Sequence, residues 1–259
     1  MDVAENRHGM STLLIRTARD VKRYRNWKRL LGIIAGALAI LVTLIYIAAA
    51  LYTATGSFTV RVNKLDAANY SMVISDSRDF TQASTRLDAR ANEEVDNVCY
   101  TEVMNDLRAE DGAHNGENYL ATTFYVRNDG RYILDYGYEL YVSNVTRNLD
   151  KAIRVMVIIN DTDVKTYAHW DDPTSVEYVC PFDESSMEVF GVTENFYSDN
   201  IVMQGRADHL APYATSNDYV KFDIIIWIEG DDKDCVDALR GGTFRVDMTF
   251  SIINAYEED

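Results

Sequence analysis

Between Leu30 and Tyr52 the chain reads LLGIIAGALAILVTLIYIAAALY, and no charged residue interrupts it. At about 1.5 Å of rise per residue this run makes a helix of roughly 34 Å, enough to cross a hydrocarbon core of about 30 Å. A stretch that apolar on every side has no place on the surface of a water-soluble domain. It therefore divides the chain into a head (1–29), a transmembrane span (30–52) and a tail (53–259).

Charge gives the span a direction. The head holds eight basic residues, Arg7, Arg16, Arg19, Lys22, Arg23, Arg25, Lys28 and Arg29, against Asp2, Glu5 and Asp20, a net of +5. The rest of the chain carries 17 basic and 38 acidic residues, a net of −21. Basic residues packed beside a span stay on the cytoplasmic side, where anionic lipid attracts them. The expected topology is head inside, tail outside, in a single pass. Residues 10–29 read as a basic amphipathic helix with Leu13, Leu14, Val21, Tyr24 and Trp27 on its apolar side, Trp27 at headgroup level. The length of the run favours an uncleaved signal-anchor over a secretory signal, whose apolar core is about 7–15 residues. Small residues at Ala48–Ala50 and Thr53–Thr55 leave cleavage open. Gly32 and Gly36 form a small-xxx-small pair of the kind that brings spans together, although such pairs are common in spans.

The tail reads as one all-β domain, an antiparallel β-sandwich or jelly roll. Ser57–Asn63 alternates, with Phe58, Val60 and Val62 on one face, and Tyr70–Ile74 is a second strand candidate. Residues 75–117 are irregular, a long excursion with short helical pieces. Asn118–Asn128 is a strand stopped by the turn sequence Asn128-Asp129-Gly130. In Tyr136–Val142, Tyr136, Tyr138, Leu140 and Val142 alternate against Gly137, Glu139 and Tyr141. Ala152–Ile159 is apolar almost throughout, as in a strand covered on both faces, and Lys165–Trp170 pairs back onto it through a turn at Asn160-Asp161. Weaker runs follow at Val176–Val179, Met187–Val192 and Ile201–Met203. Tyr219–Glu229 and Thr243–Ile252 close the chain as two long strands, separated by a short helix that ends at Gly241. With no βα rhythm and no fixed repeat, sandwich architecture is the expectation.

Catalytic motifs are missing. His8, His114, His169 and His209 are scattered, with no H-E-x-x-H pair, no G-x-S-x-G elbow and no glycine-rich phosphate loop. Cys99, Cys180 and Cys235 are too widely spaced for a zinc site. Outside the cytoplasm they allow either one disulfide with one thiol or three thiols. Asp231, Asp232 and Asp234, with Asp237 close behind, are the metal candidate: a carboxylate loop able to hold a hard cation such as Ca2+ through oxygen. The loop lacks the ordered spacing of a dedicated calcium loop, and helix capping accounts for the same residues. Asn160–Asp163 is a hairpin turn on the same reasoning. Sequons at Asn69, Asn144 and Asn160 matter only in a host that glycosylates. An acidic tail excludes nucleic acid as a partner, since phosphate binding needs a basic footprint. Solubility alone explains such charge, and cations or basic partners are compatible with it. The tyrosines, seventeen in all, either pack the core or make a contact face for carbohydrate or protein.

Three stretches carry a resemblance: Ala54-Thr-Gly-Ser-Phe58, the segment FYVRNDGRYILDYGYELYV (Phe124–Val142), and the closing YVKFDIIIWIEGDDKDC…GGTFRVDMTF. The tail resembles the camelysin/TasA-type exported jelly-roll proteins of Gram-positive bacteria, several of which assemble as fibres of the biofilm matrix, and related surface proteins. The span here is longer and follows a long basic head, and the family's short segment after the signal is missing. The resemblance implies a surface-exposed β-sandwich with no catalytic residues to carry over. The function expected is a non-catalytic, membrane-anchored cell-surface protein with a structural, adhesive or matrix role, self-associating or meeting envelope protein or glycan. A glycan- or cation-binding jelly-roll module is the alternative, and an enzyme without recognisable motifs the third.

Overall fold

A computed structural model describes residues 27, 29–45, 56–91, 95–169, 194–230, 232 and 234–257. The chain forms two compact units, Met1–Thr53 and Ala54–Asp259. In the first, residues 29–45 are helical and exposed. By its rise that helix is about 25 Å long, short of the roughly 30 Å hydrocarbon thickness, because the far end of the apolar run lies outside the described residues. Among the described residues no helix is long and apolar enough to cross a membrane.

The second unit is mostly β. Its strands are β1 (Gly56–Val62), β2 (Met72–Ser75), β3 (Arg86–Arg90), β4 (Asn97–Val98), β5 (Gly112–Ala113), β6 (Tyr119–Asn128), β7 (Ile133–Val145), β8 (Ile153–Ile159), β9 (Asp163–Ala168), β10 (Glu194–Asn195), β11 (Ile201–Leu210), β12 (Val220–Glu229) and β13 (Phe244–Tyr256). Five of them form one sheet in the order β11-β7-β13-β1-β3. The other sheet runs β10-β9-β8-β12-β6-β2, with β4 added beside β12 and β5 beside β6. Most pairings are antiparallel, but β1 lies parallel to β13, β10 to β9 and β4 to β12. Both sheets are therefore mixed, a correction to the purely antiparallel expectation. Alternation along a strand fixes its faces and leaves the direction of its neighbours free.

The alternating residues meet between the sheets. Phe58, Val60 and Val62 of β1, Tyr136 and Leu140 of β7, Phe222, Ile224 and Ile226 of β12, and Phe244, Val246, Met248 and Phe250 of β13 are buried in one cluster. Phe222 sits at its aromatic centre, stacked on Phe124 with centroids 5.4 Å apart and edge-on to Phe250 and Tyr138 at 5.4 and 5.5 Å. A second, smaller core lies on the outer side of the larger sheet. There the helix Tyr100–Asp106 lays Val103 over Tyr119, Ala121, Met156, Ile225 and Trp227. That helix is fixed at its start by Glu102, whose carboxylate accepts the Cys99 N–H at 3.2 Å. β8 and β12 are covered on both faces as a result, which is why they read as continuous apolar runs.

Two turns differ in kind. Asn160 and Asp161 both have positive φ, 52° and 60°, and the Thr162 N–H returns to the Ile159 carbonyl at 3.2 Å. That is a type I′ hairpin turn joining β8 to β9. The turn at Asn128-Asp129-Gly130 instead carries the chain from one sheet to the other, since β6 and β7 belong to different sheets. Asn128 is fully buried there. Its amide donates to the Tyr132 and Leu210 carbonyls at 2.6 and 3.0 Å, and its oxygen accepts the Gly130 N–H at 2.8 Å. A Cβ on Gly130 would stand 2.3 Å from the Tyr70 carbonyl oxygen, so the corner admits only glycine.

Candidate functional site

The feature best suited to contact with a ligand is the outer face of the five-stranded sheet. Strand register arranges its outward side chains in rows. One row crosses four strands as Gln204, Glu139, Thr249 and Arg61, from β11 through β7 and β13 to β1. The row beside it holds Arg206, Gly137 and Ser251. The row on the other side holds Tyr141, Asp247, Thr59 and Asp88. Because Gly137 has no side chain, its row is interrupted between Arg206 and Ser251. The gap opens into a groove of about 640 Å³ lined by Gly137, Glu139, Tyr141, Gln204, Arg206, Thr249 and Ser251. Its size falls in the range of about 300–1,000 Å³ usual for ligand sites.

Positions around the groove are held by hydrogen bonds. Arg61 donates through Nη2 to the Tyr141 hydroxyl and through Nε to Thr249 Oγ1 at 3.3 Å, which fixes the phenol against the sheet. Next to it, Arg245 donates to Asp247 and to Thr59, each at 3.1 Å, and Thr59 donates to Asp88 at 2.7 Å. Burial works against ionisation of Asp88, but its bonds from Arg86 and Thr59 outweigh it and hold the carboxyl below its ordinary range. At the other end Arg206 pairs with Asp208 at 2.8 Å and lies 3.6 Å from Asp135. Burial would raise the Asp135 pKa. The His209 backbone N–H, the Tyr256 hydroxyl and the Arg206 charge instead lower it. By contrast Glu139, Gln204 and Ser251 make no side-chain hydrogen bond or ion pair to a described residue, so their polar atoms face the groove unspent.

The residues singled out in the sequence are placed elsewhere. Asp232 is buried and ion-paired with Arg154 of β8, which is itself buried, and its Oδ1 accepts the Asp234 N–H at 2.7 Å. A guanidinium thus already supplies positive charge to that carboxylate. Asp231 lies outside the described residues, and among those described no group of three or more metal-ligating side chains comes together. Of the histidines, His114 is buried with Nδ1 2.9 Å from the Gly112 carbonyl, His169 lies 3.6 Å from Asp150, and His209 packs edge-on to Tyr256. None of them lines the groove. Cys99 is buried and Cys235 half-buried, while Cys180, His8 and the runs Val176–Val179 and Met187–Val192 lie outside the described residues.

Tyrosines divide between the core and the surface. Tyr136 is buried in the core and Tyr138 packs against it. Tyr141 takes its place in the groove. Tyr125 and Tyr219 form an edge-on pair on the opposite sheet, beside Arg78 and Lys221. Gln204, Gly205 and Arg206 were not legible as site residues. The apolar signal of β11 ends at Met203, and the polar half of the strand reads as a loop. No family model matches the chain, and no curated protein matches it.

Proposed function

We propose that this is a membrane-anchored cell-surface protein that displays one β-sandwich outside the cytoplasm and acts by contact, in adhesion or matrix organisation, without catalysis. The 30–52 run is its signal-anchor and the +5 head stays inside. The observation that carries the contact reading is the groove on the five-stranded sheet. It is a rigid floor of paired strands bearing one oriented tyrosine and three polar side chains with unused hydrogen-bonding capacity. The carboxylates on this face suit binding better than bond cleavage. Glu139 is the one carboxylate among the residues that line the groove, and Asp247 in the neighbouring row is engaged by Arg245, whereas glycoside hydrolysis uses a pair of carboxyls flanking the bond. The likeness of Phe124–Val142 to camelysin/TasA-type surface proteins supports the same placement.

Self-association through an apolar strand edge has less support. The most apolar run of the tail, Ile153–Ile159, is β8, and it lies inside its sheet between β9 and β12, away from the edges. Protease shaving of intact cells tests the topology: the tail should be cut while an epitope on residues 1–29 survives until the cells are lysed. A protected tail with a digested head would overturn the proposal.

A further inference from the structure

We infer that the groove between Tyr141 and Arg206 is a glycan-binding site that takes a short stretch of a neutral or amino-sugar chain; this rests on the display of the sandwich outside the cytoplasm proposed above. The inference comes from the kind of polar group left unused. Glu139 offers two acceptor oxygens, Gln204 a paired donor and acceptor, and Ser251 a hydroxyl, without side-chain partners among the described residues and side by side on neighbouring strands. Sugar hydroxyls both donate and accept, so a row of mixed groups matches them, while phosphate would need donors alone.

The charges argue the same way. Of the two charged side chains that line the groove, Arg206 is paired with Asp208, and Glu139 presents its carboxylate to the groove. That disfavours nucleic acid and other polyanions. A peptide would add along an unpaired strand edge, which here is the far side of β11, or use apolar pockets; the floor of the groove is centred on β7, which is paired with β11 on one side and β13 on the other. Tyr141, held by Arg61, adds an amphipathic aromatic surface at one end. The dip is made by Gly137, whose neighbours leave room: an added Cβ would meet Ile253 Cδ1 at 3.4 Å and the Gly205 carbonyl at 3.7 Å, ordinary contact distances. This glycine is not required by the backbone. Filling it changes the shape of the groove while leaving the fold intact.

The test uses the full-length chain in detergent micelles. Chitohexaose and maltohexaose serve as soluble probes by calorimetry, and purified peptidoglycan sacculi as an insoluble one by co-sedimentation. Binding to at least one is expected. Gly137→Val and Glu139→Gln should each weaken it tenfold or more, about 1.4 kcal/mol, with unchanged thermal melting. Sedimentation without soluble binding would assign the wall polymer as the source of the sugar; the reverse would assign free oligosaccharide. Absence of binding to all three, or binding that both variants leave within twofold, would overturn the inference. If shaving still shows the tail outside, that failure falls on the ligand alone and leaves the display reading standing.

Discussion

Phe222 holds the two sheets together, and its truncation measures how much of the stability depends on that contact. It is fully buried, stacked on Phe124 of its own sheet with an interplanar angle of 9° and edge-on to Phe250 and Tyr138 of the other sheet. Phe→Ala in a packed core costs about 3–5 kcal/mol, from lost transfer energy and the cavity left behind. A close-packed site between two sheets cannot collapse around the gap, which places Phe222→Ala toward the upper half of that range. Phe222→Leu keeps most of the apolar volume. It forfeits three aromatic contacts worth about 0.5–1.5 kcal/mol each beyond area burial, so it should cost about 2–3 kcal/mol after partial repacking. For a domain of this size about 1 kcal/mol moves Tm by roughly 2–4 °C, so the alanine variant should melt about 8–20 °C lower and the leucine variant about 4–12 °C lower. Differential scanning calorimetry of the full chain in detergent, with Tyr132→Ala as an exposed-site control, reads both. A loss below about 1 kcal/mol for Phe222→Ala would refute the packing of the sheets through this residue.

Arg127 is sandwiched between the rings of Phe80 and Tyr213, 4.2 and 4.4 Å from their centroids, and so ties the Phe80 loop and the short helix Tyr213–Ser216 to β6. Arg127→Met should cost about 1–3 kcal/mol in urea denaturation, and Arg127→Lys should restore little, because the planar guanidinium makes the stack. Gly205 and Gly137 are opposite cases on neighbouring strands. A Cβ at Gly205 would stand 2.3 Å from the Tyr138 ring, so Gly205→Ala should lose about 1–3 kcal/mol while Gly137→Ala stays within about 0.5 kcal/mol in the same assay. Tyr119 is pushed up to about 12 by burial and by donating its hydroxyl to Asp106. A neutral phenol favoured in the folded state contributes stability below the unfolded value near pH 10, and that stability is lost as pH rises toward 12. Tyrosinate absorbance should therefore rise late for Tyr119, and Tyr119→Phe should flatten the alkaline limb of the stability curve; an unchanged limb would sink the assignment.

What the sequence discloses here follows from what a two-residue period can encode. Alternation identified β1, β7, β12 and β13 together with their buried faces, because burying one face of a strand determines every second residue. It could not say which strand lies beside which. The parallel pairing of β1 with β13 depends on residues some 190 positions apart, and nothing in either strand marks the other. Asn128-Asp129-Gly130 has the composition of a hairpin turn, yet its work is to cross between sheets. The difference lies in the carbonyls of Tyr132 and Leu210 that receive the Asn128 amide, the latter on a distant strand. The groove is hidden for the same reason. Gly137, Glu139 and Tyr141 stand out as the polar half of an alternating strand, and that half is normally only solvated surface. They come to line a groove because β11 lies alongside and sets Gln204 and Arg206 in register with Glu139 and Gly137. In β11 the inward positions after Met203 are Gly205 and Ala207, too small to give an apolar alternation, and a bulge follows between Ala207 and Leu210. Bulges re-aim side chains at sheet edges, and this one turns Asp208 toward Arg206 and the His209 backbone N–H toward Asp135. The polar stretch that conceals the strand from a period-two reading is also what supplies the β11 side of the groove, through Gln204 and Arg206.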